Sequence, residues 1–407
     1  MDRPSLLGFH LSFPALSFWP STSSMSRTNT LHPWGTPPWK IDFTPPKRQL
    51  PAVADFAIVG GGFAGLAAAA WLRLKAPGKS VVLLEAAHVG AGASGRTGGI
   101  VLSESAAGKL SGLGDVLARL KRILAKLHVD SDLSLPGVYE IARSDGAEKS
   151  ANARPLRGVS PVDWQDSGNL HAVSMVPGGT LDPGKQVAGL ARAAVRLGAI
   201  VAESCAVQRI KWTNTPEIEF ANGRLHARKV LLATNALSLD LCGLRRHAHP
   251  KLTLAARTAP ISEKQIELIG LAARRPFYTV DFPYLWGRVC RDNSILWGAG
   301  LVDPPKSGDM EKIDIAKGRP VEMFATFQKR VRGLHPALAR INFTHAWGGP
   351  IAFRSSWQPV FSRHPKSEHA VVLGTFAGHG VALSVYLGAW AAEVLVGGRS
   401  LPHWGRI

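Results

Sequence analysis

Three glycines and one glutamate have the spacing of a site that binds a dinucleotide. Gly60, Gly62 and Gly65 form the pattern Gly-x-Gly-x-x-Gly, and Glu85 follows about twenty residues later. The first glycine of such a pattern permits a tight turn, the second lets the backbone approach a pyrophosphate, and the third lets a helix pack against a sheet. Because a glycine-rich turn can also serve packing alone, the elements around it decide between the two interpretations.

The residues around these glycines predict a strand, a helix and a second strand in the required order. An apolar run at 56–59 ends at the glycines, residues 63–76 form the predicted helix, and a second apolar run at 81–84 ends at Glu85. The N–H groups at the start of the helix would face phosphate groups, and Glu85 would bind a ribose hydroxyl. Because Glu85 would repel a 2′-phosphate, FAD or NAD is favoured over NADP.

Composition limits the class of protein. The chain has 407 residues, 45% of them hydrophobic, and 48 Lys and Arg against 29 Asp and Glu, which gives a formal net charge of +19. We expect a solvated basic surface and no specific nucleic-acid partner, because the cations are spread along the chain. The three cysteines show no metal or disulfide pattern, which predicts no metal site and a cytoplasmic location. Two apolar stretches, 56–72 and 371–396, are broken by glycines, so we expect no transmembrane segment.

Residues 1–50 differ in composition from the rest of the chain. They are rich in proline, serine and tryptophan, and Pro14 interrupts their one apolar patch. Met25 could be the true start, which leaves open whether residues 1–24 are native. We expect residues 26–50 to be an arm whose Trp34 and Trp39 lie across the folded body.

A second glycine-rich segment, VGAGASGRTGGI, occupies residues 89–100. Its GxGASGRxGG pattern, placed just after Glu85, resembles the D-amino-acid oxidase superfamily of FAD-dependent oxidoreductases. Within that superfamily the chain is most similar to gamma-glutamylputrescine oxidase-like proteins, from about residue 54 to the C-terminus. Later segments that share the resemblance are ATNA at 233–236, WGG at 347–349 and GHG at 378–380.

The resemblance implies FAD as the cofactor. It is expected to be non-covalent, because no His or Cys stands where relatives attach the flavin. Arg96 would lie beside the pyrophosphate, and Val207 would act through its backbone near the adenine. The helix after the GHG segment would point its N-terminus at the flavin and stabilise the negative charge that reduction places there. The predicted FAD-binding residues are Gly60, Gly62, Phe63, Ala64, Gly65, Glu85, Ala93, Ser94, Arg96, Thr97, Gly98, Val207, Thr234, Asn235, Gly378, His379, Gly380 and Val381.

The catalytic residues stay unassigned, with His379 and Trp347 as candidates for the wall of the site. The arginine that clamps a substrate carboxylate in amino-acid oxidases has no secure counterpart, although Arg354 lies nearby in sequence. Most of the aromatic residues in the predicted substrate domain should be core, and a minority should line a pocket above the flavin. These aromatic residues include Tyr278, Phe282, Tyr284, Trp286 and Trp297.

The predicted fold class is α/β, with a Rossmann-like FAD-binding domain of the glutathione-reductase type. An α+β substrate domain with an antiparallel sheet is interleaved with it, as short alternating runs between 252 and 346 indicate. The predicted segments are 1–50, an N-terminal arm that is partly disordered; 51–135, 181–250 and 347–407, the FAD-binding domain; and 136–180 and 251–346, the substrate domain.

The function that follows is oxidation of a C–N bond of an amine or N-substituted amino acid. Hydride transfer to the flavin would give an imine, and dioxygen would reoxidise the flavin to yield hydrogen peroxide. The alternatives are a dehydrogenase with another electron acceptor, and a flavoprotein that binds RNA or a membrane surface. Because a charge of +19 repels free polyamines, we expect an amine that also carries an acidic group.

Overall fold

The structure is a computed structural model and describes residues 32–143, 153–221, 223–305 and 308–407. Among these residues there are six α-helices: α1 Phe63–Lys75, α2 Val116–Lys126, α3 Pro183–Arg196, α4 Glu263–Leu268, α5 Arg319–Gly333 and α6 Gly380–Leu395. The strands, numbered in chain order, are β1 Val53–Val59, β2 Val81–Leu84, β3 Ile100–Leu102, β4 Val138–Ala142, β5 Arg154–Pro155, β6 Asp163–Gln165, β7 Asn169–Val176, β8 Gly178–Thr180, β9 Ile200–Ala202, β10 Val207–Lys211, β11 Glu217–Phe220, β12 Gly223–Leu232, β13 His249–Thr258, β14 Phe277–Thr279, β15 Leu285–Val289, β16 Ile295–Val302, β17 Phe343–Phe353, β18 Val360–His364 and β19 Ser367–Gly374.

The first sheet has a parallel core in the order β19, β12, β1, β2 and β9. All four residues of β2 are buried, as expected for a strand that is covered on both faces. Helices α1 and α6 cover one face together, and a Cβ at Gly388 would lie 2.3 Å from the backbone oxygen of Ala64. The strand, helix and strand predicted around the glycine pattern are therefore confirmed as β1, α1 and β2.

A hairpin extends this sheet at β12. Asn222-Gly223 between two short apolar runs predicts a β-hairpin, and strands β11 and β12 do pair antiparallel from Glu217 to Phe220, with Phe220 opposite Gly223. Asn222, which the sequence places in the turn, lies outside the described residues. Strands β11 and β19 both pair with β12: β11 pairs with its first residues and β19 with its last, Val230 to Leu232.

The second sheet is largely antiparallel, in the order β17, β13, β16, β15, β14, β4, β7 and β5, with β6 also paired to β7. Its one parallel pair among these is β14 with β4. Buried aromatic rings pack beneath it, and the ring centroids of Trp164 and Phe277 lie 5.0 Å apart. Trp297 is fully buried in the same cluster, which fits the expectation that it belongs to the core.

The two sheets alternate along the chain, and one sequence-based boundary needs correction. Residues 347–353 were predicted to open the last FAD-binding segment, yet they are the second half of β17 in the antiparallel sheet. They pair with β13 as far as Phe353 opposite His249. The long-range pairing with β13, which the sequence does not show, makes the Trp-Gly-Gly segment part of a strand of the antiparallel sheet.

The arm from residue 33 onwards lies against the folded body. Trp34 Nε1 donates to the Met310 oxygen at 3.1 Å, and Trp39 Nε1 donates to the Gly95 oxygen at 2.7 Å. The Trp34 oxygen accepts from Gly348 N at 2.7 Å. Both tryptophans therefore hold the arm in place as predicted, and residues 1–31 lie outside the described residues. Within the described ranges, no helix combines the length and the apolar character needed to cross a membrane.

Candidate functional site

A cavity of about 330 Å³ lies where the carboxyl ends of the parallel strands face the antiparallel sheet. Such a volume is typical of sites for small molecules and cofactors. At one end, which we call the glycine end, backbone from several loops forms the wall. The residues of the glycine end are Gly62, Phe63, Ala64, Ala93, Ser94, Arg96, Thr97, Gly98, Asn235, Gly378, His379, Gly380 and Val381. At the other, the aromatic end, side chains of the antiparallel sheet and its loops form the wall.

The Gly-x-Gly-x-x-Gly turn brings the start of α1 to the cavity. Gly60 has φ +108°, a left-handed value, and a Cβ there would lie 2.7 Å from the Ala233 oxygen. A Cβ at Gly65 would lie 2.0 Å from the Gly60 oxygen, so only glycine allows α1 to approach the turn. Gly62 caps α1 without a side chain, and Phe63 N donates to Ser94 Oγ at 2.9 Å. Gly60 and Gly65 thus shape the turn from behind while Gly62 lines the cavity.

Glu85 ends β2 next to this turn. Its carboxylate accepts from Gly61 N at 2.6 Å and from Ala87 N at 3.0 Å. Burial raises the pKa of Glu85, although these two N–H groups oppose the shift. The carboxylate does not line the cavity itself; it lies at the turn, on the side where the sequence predicts a ribose.

Arg96 binds several backbone oxygens around the glycine-rich loop. Its guanidinium donates from Nε to the Ala91 oxygen at 3.0 Å, and from Nη1 to the oxygens of Gly35 at 2.9 Å and Gly348 at 3.2 Å. Burial lowers the pKa of Arg96 to about 10. These contacts tie the glycine-rich loop to the N-terminal arm and to β17. Arg96 also lines the cavity, and its place beside a pyrophosphate stays a prediction.

Helix α6 contributes the second helix N-terminus of the glycine end. Gly378 has φ +86°, and His379 is the N-cap of α6 without a capping side-chain bond. His379 Nδ1 lies 3.3 Å from the Ala377 oxygen, and burial lowers the pKa of its imidazole. The neutral imidazole is thus the favoured form. Because α6 is sixteen residues long, the partial positive charge of its N-terminus faces the cavity beside Gly380.

Besides Gly60, Gly65 and Glu85, three further predicted residues lie away from the cavity wall. Thr234 Oγ1 donates to the Leu237 oxygen at 2.6 Å, and Val207 begins β10, opposite Phe220. Trp347 is fully buried, and its Nε1 donates to the Arg96 oxygen at 2.9 Å. Trp347 was a candidate for the wall of the site, and this burial behind the wall corrects that expectation. Its neighbours Gly349 and Pro350 line the cavity instead.

The aromatic end contains more of the predicted aromatic residues than expected. Four of the five line the cavity; Trp297 does not and is fully buried, whereas Tyr278 is buried and also lines the cavity. Tyr278 and Trp286 are directly paired across β14 and β15, which places both rings on one face of the sheet. This shared face follows from strand pairing, which sequence alternation alone does not supply. The aromatic side chains of this end are Tyr278, Phe282, Tyr284, Trp286, Phe353 and Trp357.

Two arginines hold the loop that carries Phe282. Arg143 Nη1 donates to the Phe282 oxygen at 3.1 Å, and Arg330 Nη2 donates to the Pro283 oxygen at 2.8 Å. Both guanidinium groups also bind Asp166 Oδ2, at 2.9 Å and 2.7 Å. The shared carboxylate joins β4 and α5 under the loop, so this loop has a defined position at the aromatic end.

Arg354, the nearest sequence candidate for binding a substrate carboxylate, points elsewhere. Its Nη2 donates to the Arg406 oxygen at 2.8 Å, and burial lowers the pKa of the guanidinium. Arg354 is not among the lining residues, whereas Phe353 just before it is. Arg354 follows the last residue of β17, and its bond to the Arg406 oxygen holds the side chain away from the cavity wall.

Comparison with known proteins identifies the family. The model of one family, described as DAO, FAD dependent oxidoreductase, matches residues 55–394. The chain belongs to this family of FAD-dependent oxidoreductases. This FAD-dependent enzyme is 26% identical over 394 residues to gamma-glutamylputrescine oxidoreductase of Escherichia coli, covering 86% of this chain and 87% of that protein. It is also 26% identical over 392 residues to a probable oxidoreductase, OrdL, of Haemophilus influenzae, covering 87% and 85%.

Solved structures share the fold of this FAD-dependent oxidoreductase. Glycine oxidase from Bacillus cereus superposes with a TM-score of 0.68 at 18% identity, over 86% of this chain and 99% of that chain. L-amino acid deaminase from Proteus myxofaciens, in complex with anthranilate, gives a TM-score of 0.67 at 16% identity, over 90% and 94%. Both are similar in architecture, which accords with a mixed α/β flavoprotein fold.

The glycine end fits the cofactor of the family. Two long helices, α1 and α6, begin there at residues that supply no side-chain cap, so their N-termini suit an anionic or electron-rich group, although Ser94 Oγ accepts from the first N–H of α1. A Cβ at Gly62 would lie 2.8 Å from Ser94 Oγ, so glycine at this position lets Ser94 approach the start of α1. A carboxylate, Glu85, stands beside the turn. The N-terminus of α1 suits the pyrophosphate of FAD, the N-terminus of α6 suits the isoalloxazine, and Glu85 suits the ribose.

Proposed function

We propose that this enzyme oxidises a C–N bond of an amine or N-substituted amino acid. The observation that supports it is the continuous cavity, in which a glycine end suited to FAD meets an aromatic end suited to an organic substrate. The names of its relatives point the same way: gamma-glutamylputrescine oxidoreductase and glycine oxidase act on carbon atoms bonded to nitrogen. Both relatives therefore support a substrate in which carbon is bonded to nitrogen.

The glycine end supplies the groups that would hold FAD. The first turn of α1 and the backbone of Gly62 would bind the pyrophosphate, and Glu85 would accept hydrogen bonds from a ribose. Ala93, Thr97 and the N-terminus of α6 would surround the flavin ring. When bound, FAD would accept a hydride from the carbon next to nitrogen and pass the electrons to dioxygen, forming hydrogen peroxide.

The protein's own part is to position the amine and exclude water. The aromatic end provides an apolar wall in which a neutral amine is stable and in which electrostatic interactions are strengthened. His379, whose lowered pKa favours the neutral imidazole, adds no positive charge opposite the amine. No residue is assigned as a base, because an amine that enters without its extra proton needs none.

The flavin is proposed to be non-covalent. The cavity wall holds one histidine, His379, at the start of α6, and no cysteine among the described lining residues. Cys290, the cysteine nearest the aromatic end in sequence, follows β15 outside this wall. Dioxygen remains the proposed acceptor, with a quinone or a carrier protein as the alternative. A cytoplasmic location stays a prediction from cysteine usage.

A spectrum of the purified protein followed by anaerobic mixing with an amine panel tests the proposal. We expect a flavin spectrum, bleaching by at least one amine, and recovery of colour with peroxide release when air is admitted. Acid precipitation should move the yellow colour to the supernatant. A protein that binds flavin yet is bleached by no amine or amino acid would contradict the proposed reaction. Bleaching of the flavin without release of peroxide in air would indicate that the electron acceptor is a quinone or a carrier protein.

A further inference from the structure

The aromatic end of the cavity offers no cation to a substrate. Among the described lining residues, only Arg96 and His379 can carry a positive charge, and both belong to the glycine end. The Nε and Nη1 groups of Arg96 already donate to backbone oxygens, and burial disfavours the charged form of His379. A carboxylate that entered the aromatic end would lose its hydration without gaining an ion pair, which costs several kcal/mol.

The hydroxyl of Tyr278 is turned away from any acidic ligand. It donates its proton to Glu140 Oε1 at 2.7 Å, and Glu140 is fully buried. Ser174 Oγ also donates to this carboxylate. Because the hydroxyl proton is used on Glu140, Tyr278 offers the cavity an electron-rich ring and oxygen. Such a group attracts the positive edge of an amine or ammonium and repels a carboxylate.

Tyr284 stands beside Tyr278 with the same character. The two ring centroids lie 6.4 Å apart with an interplanar angle of 35°. Burial of its hydroxyl raises the pKa of Tyr284, and the nearby charge of Glu140 adds to this. The Tyr284 phenol therefore stays protonated, and both rings present aromatic surface to the cavity.

The opening of the aromatic end exposes apolar surface that a ligand would cover. Eight large apolar side chains in the described part of the chain are strongly exposed, and four of these line this one cavity. Of the four that line the cavity, Phe282 is the most exposed, at 79%, followed by Trp357 at 47%. Exposed apolar groups gathered in a concave site indicate a binding surface, whereas single ones are ordinary.

We infer that the aromatic end selects amines whose nitrogen carries apolar or aromatic substituents and that have no carboxylate on the reacting carbon. This inference rests on the proposed function. It departs from the expectation, drawn from the net charge of +19, that the substrate carries an acidic group. The charge of the whole surface is screened over about 8–10 Å of solvent, whereas the rings act at contact distance.

Matched pairs of compounds test the inference on the FAD-loaded enzyme. The binding pair is benzyltrimethylammonium and benzoate, neither of which can be oxidised, with affinity read from calorimetry. The reacting pair is N-methylbenzylamine and N-methylphenylglycine, which differ by one carboxylate. We expect the carboxylate-free member of each pair to bind or to reduce the flavin at least about tenfold better. Tighter binding of benzoate, or faster reduction by the carboxylated amine, would overturn the inference.

The two readouts separate this inference from the proposed function. If neither amine reduces the flavin but benzyltrimethylammonium still binds more tightly, the proposed reaction fails while the selectivity stands. If both amines reduce the flavin at equal rates and the two ligands bind equally, the reaction stands and the selectivity is refuted.

Exposed rim residues give variants that should fold normally. Phe282→Ala and Trp357→Ala should each weaken binding of benzyltrimethylammonium by about three- to tenfold, and leave benzoate unchanged. Leu268→Ala, at an exposed position on α4 outside the cavity, is the matched control. Tyr278→Phe, which leaves Glu140 without this donor, should reduce the preference for the cation by a similar factor. Unchanged affinities in all three cavity variants would also overturn the inference.

Discussion

The two ends of the cavity are built from different materials. At the glycine end the wall is backbone, shaped by residues that cannot carry a side chain, such as Gly60 and Gly65. At the aromatic end the wall is side chain, carried by strands and loops of an antiparallel sheet. A wall of backbone fixes the shape of one ligand and tolerates little substitution. A wall of side chains can change its ligand by single substitutions while the fold persists.

From this difference we expect specificity to reside at the aromatic end and cofactor binding at the glycine end. Trp286 marks the boundary: its ring lies so close to Gly98 and Gly298 that a Cβ at either would fall 2.2 Å or 2.0 Å from a ring carbon. One glycine belongs to the glycine-rich loop and the other to β16. Substitutions on either side of this boundary should therefore separate loss of FAD from loss of substrate.

The largest effect is expected for Gly65→Ala. Its Cβ would meet the Gly60 oxygen at 2.0 Å, so α1 must move away from the turn. We expect a cost of about 3 kcal/mol and an FAD affinity lower by about a hundredfold. Flavin content after gel filtration and FAD titration measure it. Gly78→Ala, where a Cβ meets nothing within 4 Å, is the control and should bind FAD normally.

Glu85→Ala should weaken FAD binding by about ten- to a hundredfold, because the ribose loses charge-assisted hydrogen bonds worth about 1.5–3 kcal/mol. The Gly61 N–H loses its acceptor as well, which loosens the turn. FAD titration monitored by flavin fluorescence gives the affinity. Glu219→Ala, on the exposed hairpin between β11 and β12, serves as the comparison. If the variant binds a full complement of FAD with unchanged affinity, Glu85 has no part in FAD binding.

Gly298→Ala should act on the aromatic end. The new methyl group displaces the ring of Trp286, and we expect KM for a reactive amine to rise by about tenfold while FAD affinity stays within about threefold. Steady-state kinetics and FAD titration on the same preparation separate the two. Gly333→Ala at the end of α5, where a Cβ meets nothing within 4 Å, is the control. Loss of FAD from Gly298→Ala would show that the two ends are not separable.

A smaller effect is expected for Asp166→Asn. The variant removes the carboxylate that Arg143 and Arg330 share, and so loosens the loop that carries Phe282. The two arginine side chains are only 19% and 14% exposed, so losing these ion pairs should matter more than losing a surface ion pair. The arginines keep their bonds to the loop backbone, which limits the effect. We expect about a threefold rise in KM with kcat nearly unchanged. Hydrogen exchange at the backbone of the loop should speed up in parallel.

The smallest effect is a pH dependence of stability at the glycine end. Burial lowers the pKa of His379 in the folded chain, so the unfolded chain takes up the proton first as pH falls. The stabilisation is complete above the unfolded value of about 6.5 and is lost as pH falls towards the lower folded pKa. Because the pKa of Glu85 is raised in the folded chain, its protonation increases the free energy of unfolding as pH falls further, which opposes the effect of His379.

We expect the free energy of unfolding of the FAD-loaded enzyme to drop by less than about 1 kcal/mol from His379 between pH 7 and 5.5. Denaturant titrations at the two pH values, compared with His379→Gln, measure that share. The variant should show a shallower decline. An equal decline in both proteins would place the dependence at other histidines, of which buried His364 also has a lowered pKa.

Much of the glycine end could be predicted because its groups are close in sequence. The turn at Gly60, the helix α1 and the strand β2 form one continuous segment, and each local preference agrees with the others. Arg96 shows the limit of that logic. Its glycine neighbours indicated a pyrophosphate contact, yet the arm residue Gly35 and the strand residue Gly348, both far away in sequence, supply the oxygens that it binds.

The sequence by itself determined the cofactor class and the order of the elements that would hold it. Spacing of glycines and short apolar runs carry this information, because turn geometry and strand burial are local properties. Only the tertiary structure decided which aromatic residues face the substrate, since this depends on the pairing of β14 with β15 and of β13 with β17. Pairing sets which face each ring takes, and it placed Trp286 in the cavity, Trp347 behind its wall and the charge of Arg354 outside it.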